Sequence, residues 1–133
     1  MTQEEKKLLI KDLCSRLPYE VKVKEDIQGD FTLIGLTKER VFTTCEVEGC
    51  HNDFPIELIK PYLFPLSSMT EEQKKEYNSI IYSGIELHSE RYYDVIDIDE
   101  IESLEEFYNK NHLDFRGLIR MNMAIDATGL NIY

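Results

Sequence analysis

Three side chains that can ligate a transition metal lie close together in the sequence. Cys45, Cys50 and His51 fall within seven residues of one another. Structural zinc takes four thiolate or imidazole ligands in a tetrahedron, usually as two closely spaced pairs. Here the single cysteine pair has a loose spacing, and a fourth ligand would have to come from a distant element. We therefore treat these three residues as weak metal candidates and predict ordinary thiols, with no bound metal or cofactor.

A second group of residues has the chemistry of a divalent-cation site. Asp97, Asp99 and Glu100 offer the carboxylate oxygens that hard cations prefer. The EF-hand pattern fails, because Ile101 occupies its third ligand position and Glu102 stands where glycine is required. Three interpretations remain, namely a cation site, a solvated acidic edge, and a docking surface for a basic partner.

Negative charge is concentrated in one part of the chain, the acidic segment (residues 86–106). It carries nine carboxylates against one cation, Arg91, and so has a net charge of −8, whereas the whole chain has −11. Such density requires a solvated surface or a cationic partner, because like charges repel. We predict one exposed acidic face that binds a basic partner, formed by Asp94, Asp97, Asp99, Glu100, Glu102, Glu105 and Glu106.

Polar residues follow the last predicted helix, where acid–base chemistry is one interpretation. His112 has no nucleophile near it in sequence, so this interpretation is weak. Helix termination explains the pattern better: Asn111 or His112 satisfies the last carbonyls, Asp114 caps the next turn, and Arg116 pairs with a carboxylate of the acidic segment. The chain also lacks the common phosphate-loop, dinucleotide, nucleophile-elbow and zinc-protease motifs. We assign no catalytic residue, and our prediction leans away from an enzyme.

Composition excludes several classes of protein. A chain of 133 residues with 42% hydrophobic residues predicts a single globular domain. No apolar run approaches the roughly 18 residues that span a bilayer. The net charge of −11 argues against direct binding to nucleic acid or to an anionic membrane. Three cysteines without a secretory leader predict reduced thiols and a cytoplasmic location.

The elements that must position these residues are predicted from periodicity. Thr2 and Glu5 form a capping box before a helix whose apolar stripe includes Leu13 and Cys14. Alternating apolar residues then predict short antiparallel strands. We expect helices at residues 2–17, 70–88 and 100–111, and strands at residues 19–23, 31–36, 40–47, 54–59 and 92–98. The fold class is α+β: an N-terminal helix, a small antiparallel sheet with a possible SH3-like arrangement, two further helices and an apolar C-terminal strap.

Two apolar segments have no predicted regular structure. Residues 61–66 contain two prolines, so we predict a connector and not a central strand. The sequence does not decide whether this connector is core or interface, although we expect its aromatic residues to be buried. The C-terminal segment is predicted to form one helical turn near residues 121–125 and then a turn at Gly129.

Four stretches of the chain resemble a family of short uncharacterised proteins of gut bacterial genomes, often found in phage or other mobile regions. The resemblance covers roughly a third of the chain and rests on the strings KDLCSRLPY (residues 11–19), KPYLFPLSSMTEEQ (60–73), NHLDFRGLI (111–119) and AIDATGLNIY (124–133). Family members usually have Trp where this chain has Phe107 and Pro where it has Arg120. The resemblance implies a genomic context and carries over neither an activity nor site residues.

These observations favour a non-catalytic acidic protein that docks a basic partner. One form of this hypothesis is an inhibitor or mimic directed at a nucleic-acid-binding protein of the host. The alternatives are a small-molecule or divalent-metal-binding protein, which would use the Cys45/Cys50/His51 loop or the Asp97/Asp99 edge, and a structural or accessory domain. The sequence leaves the oligomeric state open.

Overall fold

Helices and a six-stranded sheet make up the fold. The computed structural model describes the backbone of residues 1–91 and 98–133, and the side chains of residues 1–81 and 104–133. The helices are α1 (Gln3–Arg16), α2 (Glu71–Arg91) and α3 (Ile98–Lys110). The strands are β1 (Lys22–Glu25), β2 (Gly29–Leu36), β3 (Arg40–Thr44), β4 (His51–Pro55), β5 (Ile59–Leu63) and β6 (Ile125–Asp126). This confirms the predicted α+β class; the likeness to an SH3 barrel is not confirmed.

Helix α1 begins at the predicted capping box. The Glu5 backbone N–H donates to Thr2 Oγ1 at 3.1 Å, and the Glu5 side chain accepts from the Thr2 N–H. Leu9 and Leu13 are fully buried against the sheet. The predicted stripe was wrong about Cys14, which is exposed.

The sheet has the strand order β4-β3-β2-β1-β5-β6 and is antiparallel except for the β5–β6 pair. Side chains alternate between its two faces, and directly paired residues share a face. One face packs on α1 and holds the core residues Val23, Leu33, Val41, Phe54, Ile59 and Leu63. We call the opposite side the outer face; Ile34 lies on it and is 50% exposed.

The prediction of a connector at residues 61–66 was wrong for its first half. Ile59–Leu63 is strand β5, which lies between β1 and β6 in the sheet. Pro61 has no backbone N–H to donate, and it is tolerated there because β6 pairs only with Tyr62 and Leu63. The hydrogen bonds between β5 and β6 therefore begin after the proline. The predicted fourth strand also shifts, since β4 ends at Pro55 and a short 3₁₀ helix covers Ile56–Leu58.

Helix α2 begins with a second pair of reciprocal hydrogen bonds, between Thr70 and Gln73. It continues beyond Gly84 to Arg91, and α3 begins at Ile98. The prediction of a strand at residues 92–98 is therefore wrong for Ile98, which is the first residue of α3. Residues 92–97 lie outside the described part of the chain. Within the described ranges, no helix combines the length and apolarity that crossing a bilayer requires.

The C-terminal segment forms turns and a short strand instead of the predicted helical turn. The Met123 N–H donates to Leu118 O at 2.9 Å, and β6 begins two residues later. The earlier turn is organised by Asp114, whose carboxylate accepts from the backbone N–H groups of Leu118 and Ile119. This confirms the predicted capping role of Asp114.

Candidate functional site

The described part of the predicted acidic face lies on α3. Glu105 and Glu106 are both exposed. Glu106 accepts a hydrogen bond from the Tyr19 hydroxyl at 3.3 Å, and Glu105 lies 3.9 Å from Arg116 Nη2. The last contact agrees with the predicted pairing of Arg116 with the acidic segment.

The other predicted acidic residues fall outside the described side chains. Asp99, Glu100 and Glu102 belong to the α3 backbone, whereas Asp94 and Asp97 lie in the segment that the structure does not describe. A single contiguous acidic face therefore stays a prediction. The spacing i, i+3 and i+7 places the backbone positions of Asp99, Glu102 and Glu106 along one side of the helix.

Two cations of the same region, Lys110 and Arg116, make short ion pairs with other carboxylates. Lys110 Nζ lies 2.6 Å from Glu76 Oε1 on α2, and Arg116 Nη1 lies 2.7 Å from Asp12 Oδ1 on α1. The distance from Arg116 to Glu105 is longer by more than 1 Å. The negative charge of Glu105 and Glu106 is therefore left largely for solvent or a binding partner.

A buried ionic cluster joins α1 to the segment after α3. Asp12 and Arg16 are fully buried and form an ion pair of 2.9 Å, while Arg16 Nη2 donates to Leu113 O at 2.7 Å. The Asp12 carboxylate thus accepts from two guanidinium groups, those of Arg16 and Arg116. We did not predict this cluster, although Asp12 and Arg16 have the i, i+4 spacing of a helical ion pair and share a face with Leu9 and Leu13.

His112 lies beside this cluster and is not arranged as an acid–base catalyst. Its ring stacks on Tyr133 with centroids 3.8 Å apart, and its Nδ1 atom is buried without a hydrogen-bond partner. Burial, with the positive charges of Arg16 and Lys22, lowers the pKa of His112 to about 4, so the imidazole is neutral near pH 7. Within the described side chains, no hydroxyl or thiol is hydrogen-bonded to the ring. The predicted helix-terminating role belongs to Asn111, whose side chain donates to Phe107 O at 2.9 Å.

The Tyr133 side chain connects this region to the sheet. Its hydroxyl donates to Tyr62 O and accepts from the Lys22 N–H, both at 2.8 Å. His112 has a positive φ of 56°, a conformation that favours Asn or Gly. The stack on Tyr133 and the burial of the Nδ1 edge hold this unusual backbone conformation in place. These contacts have a structural role, because they join the C-terminus to the sheet and to the end of α3.

The weak metal candidates do not converge. Cys50 is exposed, Cys45 is half-buried, and the His51 ring contacts Phe42 edge-on at 5.4 Å. In the described part of the chain, no three His, Cys, Asp or Glu side chains come close enough to hold a metal ion. The Asp97/Asp99 alternative lies outside the described side chains.

Comparisons with known proteins add no family to this description. No family model matches the chain, and no significant similarity to a curated protein or to a solved structure was found.

Proposed function

We propose that this protein is a non-catalytic binding protein that docks a basic partner through its acidic segment. The observation that carries the proposal is the exposure of Glu105 and Glu106 on α3, within a segment of net charge −8. Lys110 pairs with Glu76 at 2.6 Å, and Arg116 lies closer to Asp12 than to Glu105. Among the described side chains, Glu106 therefore has no ion-pair partner, and Glu105 has only the 3.9 Å contact with Arg116.

Electrostatics describes how such a surface acts. A concentration of like charge raises the rate of encounter with an oppositely charged protein and disfavours partners of the same sign. The effect weakens as salt is added, because the Debye length is about 8 Å at physiological ionic strength. Binding that depends on the acidic segment should therefore be strongly salt-sensitive.

A nucleic-acid-binding protein is the class of partner that we propose, with this chain acting as its inhibitor or mimic. Proteins of that class present clustered Lys and Arg to the phosphate backbone, and a row of carboxylates competes for the same surface. The proposal includes a cytoplasmic location, which suits the three free cysteines, Cys14, Cys45 and Cys50.

A matched pair of double variants tests the proposal. The probe is a synthetic Lys- and Arg-rich peptide, and its affinity is measured by fluorescence anisotropy at several salt concentrations. E105Q/E106Q removes two charges from α3, whereas E46Q/E48Q removes two from an exposed loop remote in sequence. We expect E105Q/E106Q to weaken binding by about tenfold and the control to change it by less than about twofold. Equal effects of the two variants would mean that only net charge matters, and the proposal would be wrong.

A further inference from the structure

Three lysines form a basic row on the outer face of the sheet. Lys24 on β1 is paired directly with Lys60 on β5, and Lys22 lies two residues before Lys24 on the same face. All three side chains are half-buried. We call them the lysine row. The lysine row could not be predicted from the sequence, because the connector predicted at residues 61–66 left Lys60 without a strand partner.

The lysine row is not explained as protection of a sheet edge. Lysines on exposed edge strands often prevent pairing with another chain. However, β1 and β5 lie inside the sheet, between β2 and β6. Like charges placed directly opposite each other on neighbouring strands destabilise the pair. Asp30, which is directly opposite Lys24 on β2, offsets part of this cost, and the other contacts of the three lysines must offset the rest.

Those contacts are mostly neutral. Lys22 Nζ donates to Thr32 Oγ1 at 2.6 Å, and Lys60 Nζ donates to Asn122 Oδ1 at 3.3 Å. Asp30 is paired with Lys24 in the sheet, but its carboxylate accepts a hydrogen bond from the Tyr62 hydroxyl. Within the described side chains, none of the three lysines lies in an ion pair. Beside Lys22 there is also a groove of about 310 Å³, lined in addition by Asp30, Thr32 and Thr44.

We propose that the lysine row binds helix α3 of a second copy of this chain. The α3 sequence carries five carboxylates and one lysine, a net charge of −4, against three positive charges in the lysine row. Because every copy carries both surfaces, the contact is head-to-tail, which builds a ring if the rotation closes and a chain if it does not. This inference rests on the proposed function, since it uses part of the same acidic surface.

The net charge of the protein sets the conditions for assembly. Two copies of net charge −11 repel each other at long range when salt is low. At about 0.15 M ionic strength this repulsion is screened beyond about 8 Å, whereas contacts between paired charges persist. At about 1 M salt the contacts are screened as well, because the Debye length falls to about 3 Å. We therefore expect self-association to be strongest near physiological ionic strength.

Sedimentation velocity across a range of protein concentrations tests this assembly. The wild-type chain should form concentration-dependent oligomers near physiological salt. K24E/K60E should weaken the association by about tenfold, whereas K38E/K75E, which changes two exposed lysines elsewhere, should leave it within about twofold. Circular dichroism of each variant checks that the fold is kept.

A charge exchange makes the test specific. E105K/E106K should also lose self-association, and its mixture with K24E/K60E should form a mixed complex, because the reversed charges then attract each other. A monomeric wild type throughout the salt range, or a mixture that stays monomeric, would overturn the inference. One outcome separates the two proposals. If the wild type stays monomeric but E105Q/E106Q still binds the basic peptide more weakly, the proposal of self-association is wrong and the proposed function is kept.

Discussion

At the scale of single residues, the buried pair of Asp12 and Arg16 holds distant parts of the chain together. Arg16 reaches Leu113 O, and Asp12 also binds Arg116, so α1 is tied to the segment that follows α3. Burying two charges is costly, and the pair is tolerated because nearly every polar atom has a partner; only Arg16 Nη1 lacks one. Losing one member of the cluster leaves the others uncompensated.

Substituting Asp12 should therefore strongly destabilise the folded protein. D12N removes the only carboxylate in ion-pair contact with Arg16 among the described residues, and we expect a loss of about 3–5 kcal/mol in the free energy of unfolding. Urea denaturation measures this loss. E71Q is the control, because Glu71 forms an exposed pair with Lys74 and should cost at most about 0.5 kcal/mol. A D12N protein within about 1 kcal/mol of wild type would contradict the structural role of the cluster.

His112 gives a prediction for the dependence of stability on pH. Its pKa is about 4 in the folded protein, below the ordinary value of 6.5, so the folded state binds fewer protons than the unfolded state between these values. His112 therefore has no effect on stability above about pH 6.5, and it destabilises the folded state as the pH falls from 6.5 toward 4. Because the ring is partly open to solvent, we expect at most about 1 kcal/mol of loss between pH 7.5 and 5.5.

The variant H112N separates this effect from other titrations. Asparagine accepts the positive φ of this position and does not titrate, so the pH dependence of urea unfolding in this window should flatten. H51N, at an exposed histidine, is the matched control for replacing an imidazole by an amide. An unchanged slope in H112N would show that His112 does not sense pH in this window.

At the scale of elements, the helices could be predicted well because their signals are local. The capping boxes at Thr2 and Thr70 fall at the starts of α1 and α2, and the apolar period fixes which side of α1 meets the sheet. Strand β5 could not be predicted, because Pro61 argues against a central strand and its tolerance depends on where β6 pairs. The ionic cluster was missed for a similar reason, since Asp12 and Arg116 are brought together only by the fold.

The corrected place of β5 changes which side chain should matter most in this segment. Leu63 is fully buried, whereas Phe64 is half-buried and contacts Tyr133 with ring centroids 5.8 Å apart. We expect L63A to cost about 2–5 kcal/mol in urea denaturation and F64A to cost less. If F64A proved the more damaging change, the burial of this strand would have to be reassigned.

At the scale of the whole molecule, charge is distributed unevenly. The acidic segment holds a net −8 of the total −11, while the outer face of the sheet carries the lysine row. We propose that the acidic segment binds a basic partner and that the outer face binds α3 of a second copy. Both proposals depend on carboxylates of α3 being free to bind.

An NMR titration of the protein with the Lys- and Arg-rich peptide tests directly whether the partner docks on α3. We predict that the largest backbone amide shifts fall within α3 (Ile98–Lys110), and that they shrink when salt is raised. Amides of β3 and β4, which carry few carboxylates, should change little. Shifts centred on β3 and β4, or spread evenly over the chain, would contradict docking through the acidic segment.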